Sequence, residues 1–199
     1  MKLLVVCVIA TLPVAAQWLR YPDAGAPRNP DGSVNLAAPA PKLADGKPDL
    51  SGIWVTEPDR SMQPGAPGDH TGASRYWLNI LSDFNATNTP LRPEAQQELN
   101  RRRAKSAVEN PRANCIPAGS PSGELGPDMY RIVQTPSALI MLYEQIRNFR
   151  EVYLDGRKPL VDPEPATLGY STGHWDGDTL VIEANGFNDK SWLDGGGHF

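Results

Sequence analysis

An imidazole and a carboxylate, His174 and Glu183, sit on the two arms of what reads as one hairpin within Leu168 to Asp194. Such a pair can exchange a proton with a bound substrate when the two groups converge. Tyr170 adds a phenol at the same alternate positions, and Glu144 is a further carboxylate from an earlier strand. The chemistry within reach of these types is hydrolysis by carboxylates, with Glu144, Asp155, Asp178 or Glu183 as acid and base. Paired carboxylates need a set separation, which spacing along the chain does not supply. A solvated outer face with ordinary cross-strand pairs fits the same residues.

Other patterns carry less chemistry. Gly169 to Gly173 matches G-x-S-x-G, which in hydrolases places a serine at a sharp strand-to-helix turn. Here the residues that follow read as more strand, and Ser171 and His174 differ in parity, so a strand points them to opposite faces. His70, His174 and His198 lack metal-ligand spacing, and no metal or cofactor is assigned. A ligand-binding reading draws instead on Trp54, Tyr143, Arg150 and Tyr170, joined at the hairpin by His174, Trp175 and Glu183. An inward Glu144–Arg150 pair would fix a ligand; a rim or edge charge is the plainer alternative.

These residues need a sheet to position them. Asp176-Gly177 lies between two strand-like runs, and Asp-Gly favours a two-residue hairpin loop. With that loop, Trp175 faces Asp178, Gly173 faces Leu180 and Ser171 faces Ile182. On the other side His174 faces Thr179, Thr172 faces Val181 and Tyr170 faces Glu183. Upstream, Tyr130 to Thr135, Ser137 to Glu144 and Phe149 to Leu154 read as strands, the middle one apolar on both faces and so central. Short connections predict antiparallel neighbours. Asp49 to Thr56 reads as the first strand, its Gly-x-Trp laying an indole across the end of a barrel or sandwich.

Helices are few. Ala73 to Phe84 spaces Tyr76, Trp77, Ile80, Leu81 and Phe84 as a helix would. Pro93 opens another, with Glu94, Gln97 and Glu98 early and Arg101, Arg102, Arg103 and Lys105 late, a charge order that suits the helix dipole. The basic cluster would serve an anion or simply solvate a helix end. The predicted fold is mainly β: an antiparallel meander, a lipocalin-like barrel or sandwich left incomplete, with one or two short helices before it. Its parts are a signal peptide (1–16), a Pro/Gly-rich arm (17–48) and a mainly β domain (49–199), the last with a helical insertion at 73–105 and the meander at 130–184.

The signal peptide rests on Met1-Lys2, the apolar run Leu3 to Ala16 and the small residues Ala15-Ala16. The run is short for a membrane span, and Val6 before Cys7 argues against a lipidated cysteine. The expected localisation is exported, periplasmic or secreted, with no stable membrane anchor after cleavage. Losing Lys2 leaves 18 basic residues against 23 acidic ones, a net charge of −5, which offers no general attraction to nucleic acid. Cys115 is then the one thiol, open to an intermolecular bond, a reactive role or a missing partner. In the arm, Asp31 to Leu36 echoes Asp45 to Leu50, each a turn leading into a short extended piece.

Four blocks carry a resemblance: Asp45 to Trp54, Asn114 to Gly119, Tyr153 to Arg157, and Gly169 to Ser171 running through Trp175 to Val181. In this order they resemble a large group of uncharacterised secreted proteins of environmental bacteria, over nearly all of the mature chain. The resemblance implies no known activity. It implies Glu in place of Asp176, and a continuation past Gly186 to Asp189 with a basic strand, an Asp-Pro turn and a late cysteine. On that basis the chain is expected to be a C-terminally truncated member, which would account for the single Cys115 and a sheet of about six strands, fewer than the eight of a ligand barrel. The expected function is binding of a small apolar or aromatic ligand. A carboxylate hydrolase and an interaction or assembly module are the alternatives.

Overall fold

In the computed structural model, described for residues 25–57, 73–85, 87–144 and 148–199, the chain is mainly β. The segment expected to be a signal peptide, with its Cys7, the aromatic residues Trp18 and Tyr21, and His70 lie outside the described residues. The described residues from Lys42 to Phe199 belong to one compact unit, and those from Gly25 to Pro41 to another.

Six strands lie in sequence order in one sheet: β1 (Gly52–Trp54), β2 (Tyr130–Gln134), β3 (Ala138–Tyr143), β4 (Phe149–Tyr153), β5 (Tyr170–Asp176) and β6 (Thr179–Asn185). The sheet is open, with β1 and β6 at its two edges. Alternation explains its layering. Ile132, Leu139, Met141, Tyr143 and Val152 share one face and are buried, with Leu168 beside them. Leu50, Leu154, Leu180 and Ile182 pack against this cluster. The other face of β3 is only partly covered, and Leu142 is exposed, so a strand central in the sheet is buried on one side, not two.

One expected feature of the meander is corrected. β4 and β5 pair in parallel, through Val152 with Ser171 and Tyr153 with Thr172, while every other pair is antiparallel. The connection from Leu154 to Gly169 is long enough for the chain to return to the far end, which parallel pairing requires (about a dozen residues or more).

The hairpin has the predicted faces and a different register. Trp175 pairs with Leu180, Gly173 with Ile182 and Ser171 with Ala184; His174 pairs with Val181, Thr172 with Glu183 and Tyr170 with Asn185. Asp176 already pairs with Thr179, so the loop is Gly177-Asp178. Gly177 has φ 59° at the first loop position, where a type II′ turn needs glycine. The slip moves each partner by two residues, which leaves every side chain on its expected face.

Helix α1 (Pro93–Ala104) starts at its proline, with Glu94 in the first turn and Arg101 to Arg103 in the last. Short helices α2 (Ser106–Glu109) and α3 (Ser122–Leu125) follow, separated by a 3₁₀ turn at Pro111–Asn114. Residues 73–85 are turns, not the predicted helix. Side chains there compete for the backbone groups a helix would use. The Ser82 hydroxyl donates to the carbonyls of Asn79 (2.5 Å) and Arg75 (2.9 Å), and the Asn79 side chain accepts from the Leu81 amide. The Ile80 amide donates to the Asp194 carboxylate at 2.7 Å.

The echo between Asp31 to Leu36 and Asp45 to Leu50 is a structural repeat. Arg28 bridges Val34 as Lys42 bridges Pro48. Asp31 accepts from the Ser33 amide as Asp45 does from the Lys47 amide, and Gly32 and Gly46 take φ of 84° and 82°. Asn35 and Asp49 each accept from the amide two residues on. The second copy feeds β1: Gln134 accepts from the Leu50 amide (2.7 Å) and donates to the Pro48 carbonyl (3.1 Å).

Candidate active site

Trp192, Asp194, Gly197 and His198 are all buried, in a segment that belongs to no strand or helix. The glycines between Asp194 and His198 explain how the chain turns so tightly. A β-carbon on Gly196 would lie 2.0 Å from the Leu78 carbonyl oxygen, and Gly197 has φ 101°, a conformation that disfavours side chains. The loop closes through the Leu193 amide to the His198 carbonyl (2.7 Å), and it is tied to the 77–80 turns through the Gly195 amide to the Trp77 carbonyl (2.6 Å).

Asp194 organises this loop. Its Oδ1 accepts the amides of Gly196 (2.9 Å) and His198 (3.1 Å). Its Oδ2 accepts the Ile80 amide and meets His198 Nδ1 at 2.5 Å. Burial pushes the carboxyl up, yet the hydrogen bonds from His198 and Ile80, with the charge of an imidazolium, outweigh it and hold its pKa below the ordinary value. The side chains are 0% exposed for Asp194 and 5% for His198. His198 Nε2 makes no hydrogen bond among the described residues, and His198 lines a cleft of about 320 Å³.

The cleft lies between the 79–91 turns and α1. Asn79, Asn85, Thr89 and Gln96 bring amide and hydroxyl groups to its wall, with Phe84 and Leu99 among the apolar ones. Arg103 is its cation, and no Asp or Glu is among the described residues that line it. The Arg103 Nε donates to the Gly196 carbonyl at 3.3 Å, which places the guanidinium beside the glycine loop. Arg102 braces the back, its guanidinium 4.4 Å from the Phe199 ring centre and 5.7 Å from that of Trp192.

A second group of charges gathers on the covered face of the sheet. Arg150 Nη1 donates to Ser120 Oγ (2.8 Å) and Glu124 Oε1 (3.0 Å), and its Nε donates to Ser171 Oγ (3.0 Å). Tyr143 donates its hydroxyl to the same Glu124 oxygen at 2.7 Å. Burial first, and then the Glu124 carboxylate, push the Tyr143 phenol well above its usual pKa. Most polar atoms here are answered by another; Glu124 Oε2 is buried with no partner among the described residues.

The predicted site residues divide between the two faces of the sheet. Tyr143 and Arg150 come together in this network, but the carboxylate that meets Arg150 is Glu124. Glu144 is exposed. Trp175 is half-buried, with Lys47 Nζ 6.0 Å from its ring centre, and Trp54 is partly exposed and donates its indole N–H to the Leu50 carbonyl. Tyr170, His174 and Glu183 are exposed on the opposite face. Glu183 lies opposite Thr172, and no hydrogen bond joins it to His174 or Tyr170. Ser171 is buried and accepts from Arg150, consistent with its place on a strand and unlike a nucleophile on a sharp turn. Cys115 is an exposed free thiol with φ 57°.

Sequence reasoning weighs His198 only as a metal ligand, and it singles out neither Asp194 nor Glu124. A usable signal existed for Asp194 and His198. An acid and a histidine four apart can approach across a helical turn or a tight loop, and the three glycines between them favour the loop. Glu124 has no comparable mark, since its partners come from strands and loops distant in the chain. Comparisons with family models, curated proteins and solved structures return no match to this chain.

Proposed function

We propose that this chain is an exported small-molecule-binding domain whose ligand sits in the cleft beside His198. One observation carries this reading: His198, paired with the buried Asp194, lines a cleft of about 320 Å³, and its Nε2 has no hydrogen-bond partner among the described residues. Arginine, amide and hydroxyl groups along the wall, with no carboxylate among the described residues there, favour a small ligand rich in acceptor oxygens that also has an apolar part. Export rests on the basic start and apolar run that end at Ala16, and it follows the resemblance to secreted bacterial proteins.

The test is a screen of small carboxylates, amides and esters by ligand-observed NMR, with the imidazole resonance of His198 as the site reporter. Binders should shift that resonance and lose affinity in Gln96→Ala. An absence of binders, or binding indifferent to the His198 signal, rejects the cleft.

An assembly role is favoured by a different observation. Ile53, Leu142 and Phe149 are 71%, 42% and 57% exposed and share one row across the outer face, on β1, β3 and β4, with Arg131 of β2 between the first two. Sedimentation over a wide concentration range tests it. A species that stays monomeric throughout excludes self-association through this face.

A further inference from the structure

We infer that His198 is a general base, held by Asp194, which activates water to hydrolyse a carboxylic ester bound in the cleft. This rests on the cleft being the ligand site.

The geometry assigns the roles. Asp194 accepts three backbone amides in addition to the imidazole, so its carboxylate is anchored in one orientation. An ionised carboxylate accepts from Nδ1–H, so the lone pair of the neutral ring falls on Nε2, the atom with no partner among the described residues. Held dry against the ring, the same carboxylate stabilises the imidazolium once a proton arrives. The charges that face His198 are few. Asp194 comes from its own loop and Arg103 from α1, Arg102 lies behind through Phe199, and the 79–91 turns contribute no charged residue to the described wall.

Thr89 is the one hydroxyl among the described wall residues, and it makes no hydrogen bond to His198. Water is therefore assigned as the nucleophile. A water proton passes to Nε2 as the water oxygen bonds to the ester carbonyl carbon, and the carbonyl π electrons move onto oxygen. The resulting oxyanion falls on the Arg103 side, where a cation favours it. Collapse re-forms the carbonyl and breaks the bond to the alkoxy oxygen, which takes the proton from Nε2. The products are a carboxylic acid and an alcohol. The ring ends as it began, and nothing is oxidised or reduced.

The experiment uses the full chain with p-nitrophenyl acetate as ester and acetanilide as a slow-reacting carbonyl probe. Turnover should follow a rising limb in pH set by one ionisation, and His198→Gln should lower kcat/KM by about 10²-fold or more. His198→Gly should regain activity with added imidazole, which a merely structural role would not allow. His174→Ala, on the outer face, serves as the control and should keep full activity. Should His198→Gln fail to fold, the pH profile of the unaltered chain and the imidazole rescue still decide. If acetanilide shifts the His198 resonance while the ester is not turned over, the catalytic inference falls and the binding reading stands. If neither probe perturbs His198, both fall.

Discussion

Two buried pairs in this protein, each an acid against a nitrogen base, differ in what they leave open. Arg150 and Glu124 meet beneath the sheet, where Ser120, Tyr143 and Ser171 occupy most of their hydrogen-bonding capacity. Asp194 and His198 meet in a glycine loop, where three backbone amides bond the acid and one ring nitrogen has no partner among the described residues. Convergence of titratable groups is thus common to both, and it does not by itself mark chemistry. The first pair serves the sheet: its members come from β3, β4, β5 and the α3 loop, and it ties them together. Among the described residues, only the second borders a cleft, through His198.

The contrast can be broken by mutation. The largest effect is expected from Glu124→Ala, which strands the Arg150 guanidinium in a largely desolvated place. A loss of about 3 kcal/mol or more should appear as a lower urea midpoint at unchanged slope. Replacing both partners, Glu124→Leu with Arg150→Met, should restore most of that stability and leave ligand binding intact. Lost binding in the stable double variant would make this network part of the site. Gly196→Ala comes next, at about 1–3 kcal/mol, because its methyl would run into the Leu78 carbonyl. It should also abolish the His198 response to ligands; an unperturbed response would mean that the loop's tightness is not what positions the ring.

The two regions should also titrate from opposite ends of the pH scale. The Asp194 pKa is lowered in the folded state, so its contribution is present above the unfolded value of about 3.9 and is lost as pH falls through the folded value. The Tyr143 pKa is raised, so its contribution is present below about 10 and is lost as pH climbs from there toward the folded value. Thermal melts should therefore decline at both extremes. Asp194→Asn should flatten the acid limb and Tyr143→Phe the alkaline one, and the reverse assignment would overturn the comparison. The smallest effect is expected from His174→Ala, within about 0.5 kcal/mol by chemical denaturation, since its ring is exposed and bonds to nothing described.

Much of the sheet was legible because alternation is a local property. The faces of Ser171, Gly173 and Trp175 against those of Tyr170, Thr172 and His174 follow from parity alone. They survived an error of two residues in register, since such a slip never exchanges faces. The parallel pairing of β4 with β5 was not legible, because it depends on where a long connection returns. Nor were the turns at 73–85. There the apolar spacing of Tyr76, Ile80 and Phe84 fits a helix, yet the Ile80 amide is taken by Asp194, more than a hundred residues away. The hairpin's His174 and Glu183 drew attention because they are near in sequence, and they proved to be solvated neighbours.

By itself, the chain's order of residues determined a mainly β fold, its strands, their inner and outer faces, one proline-started helix and the two Asp-Gly turns of the repeat. Each of these rests on interactions between residues a few places apart. Tertiary structure alone decided which charges would meet and which would stay open. Glu124 found Arg150, and Asp194 bonded both a distant turn and His198, because partner choice for a buried charge depends on what surrounds it in space.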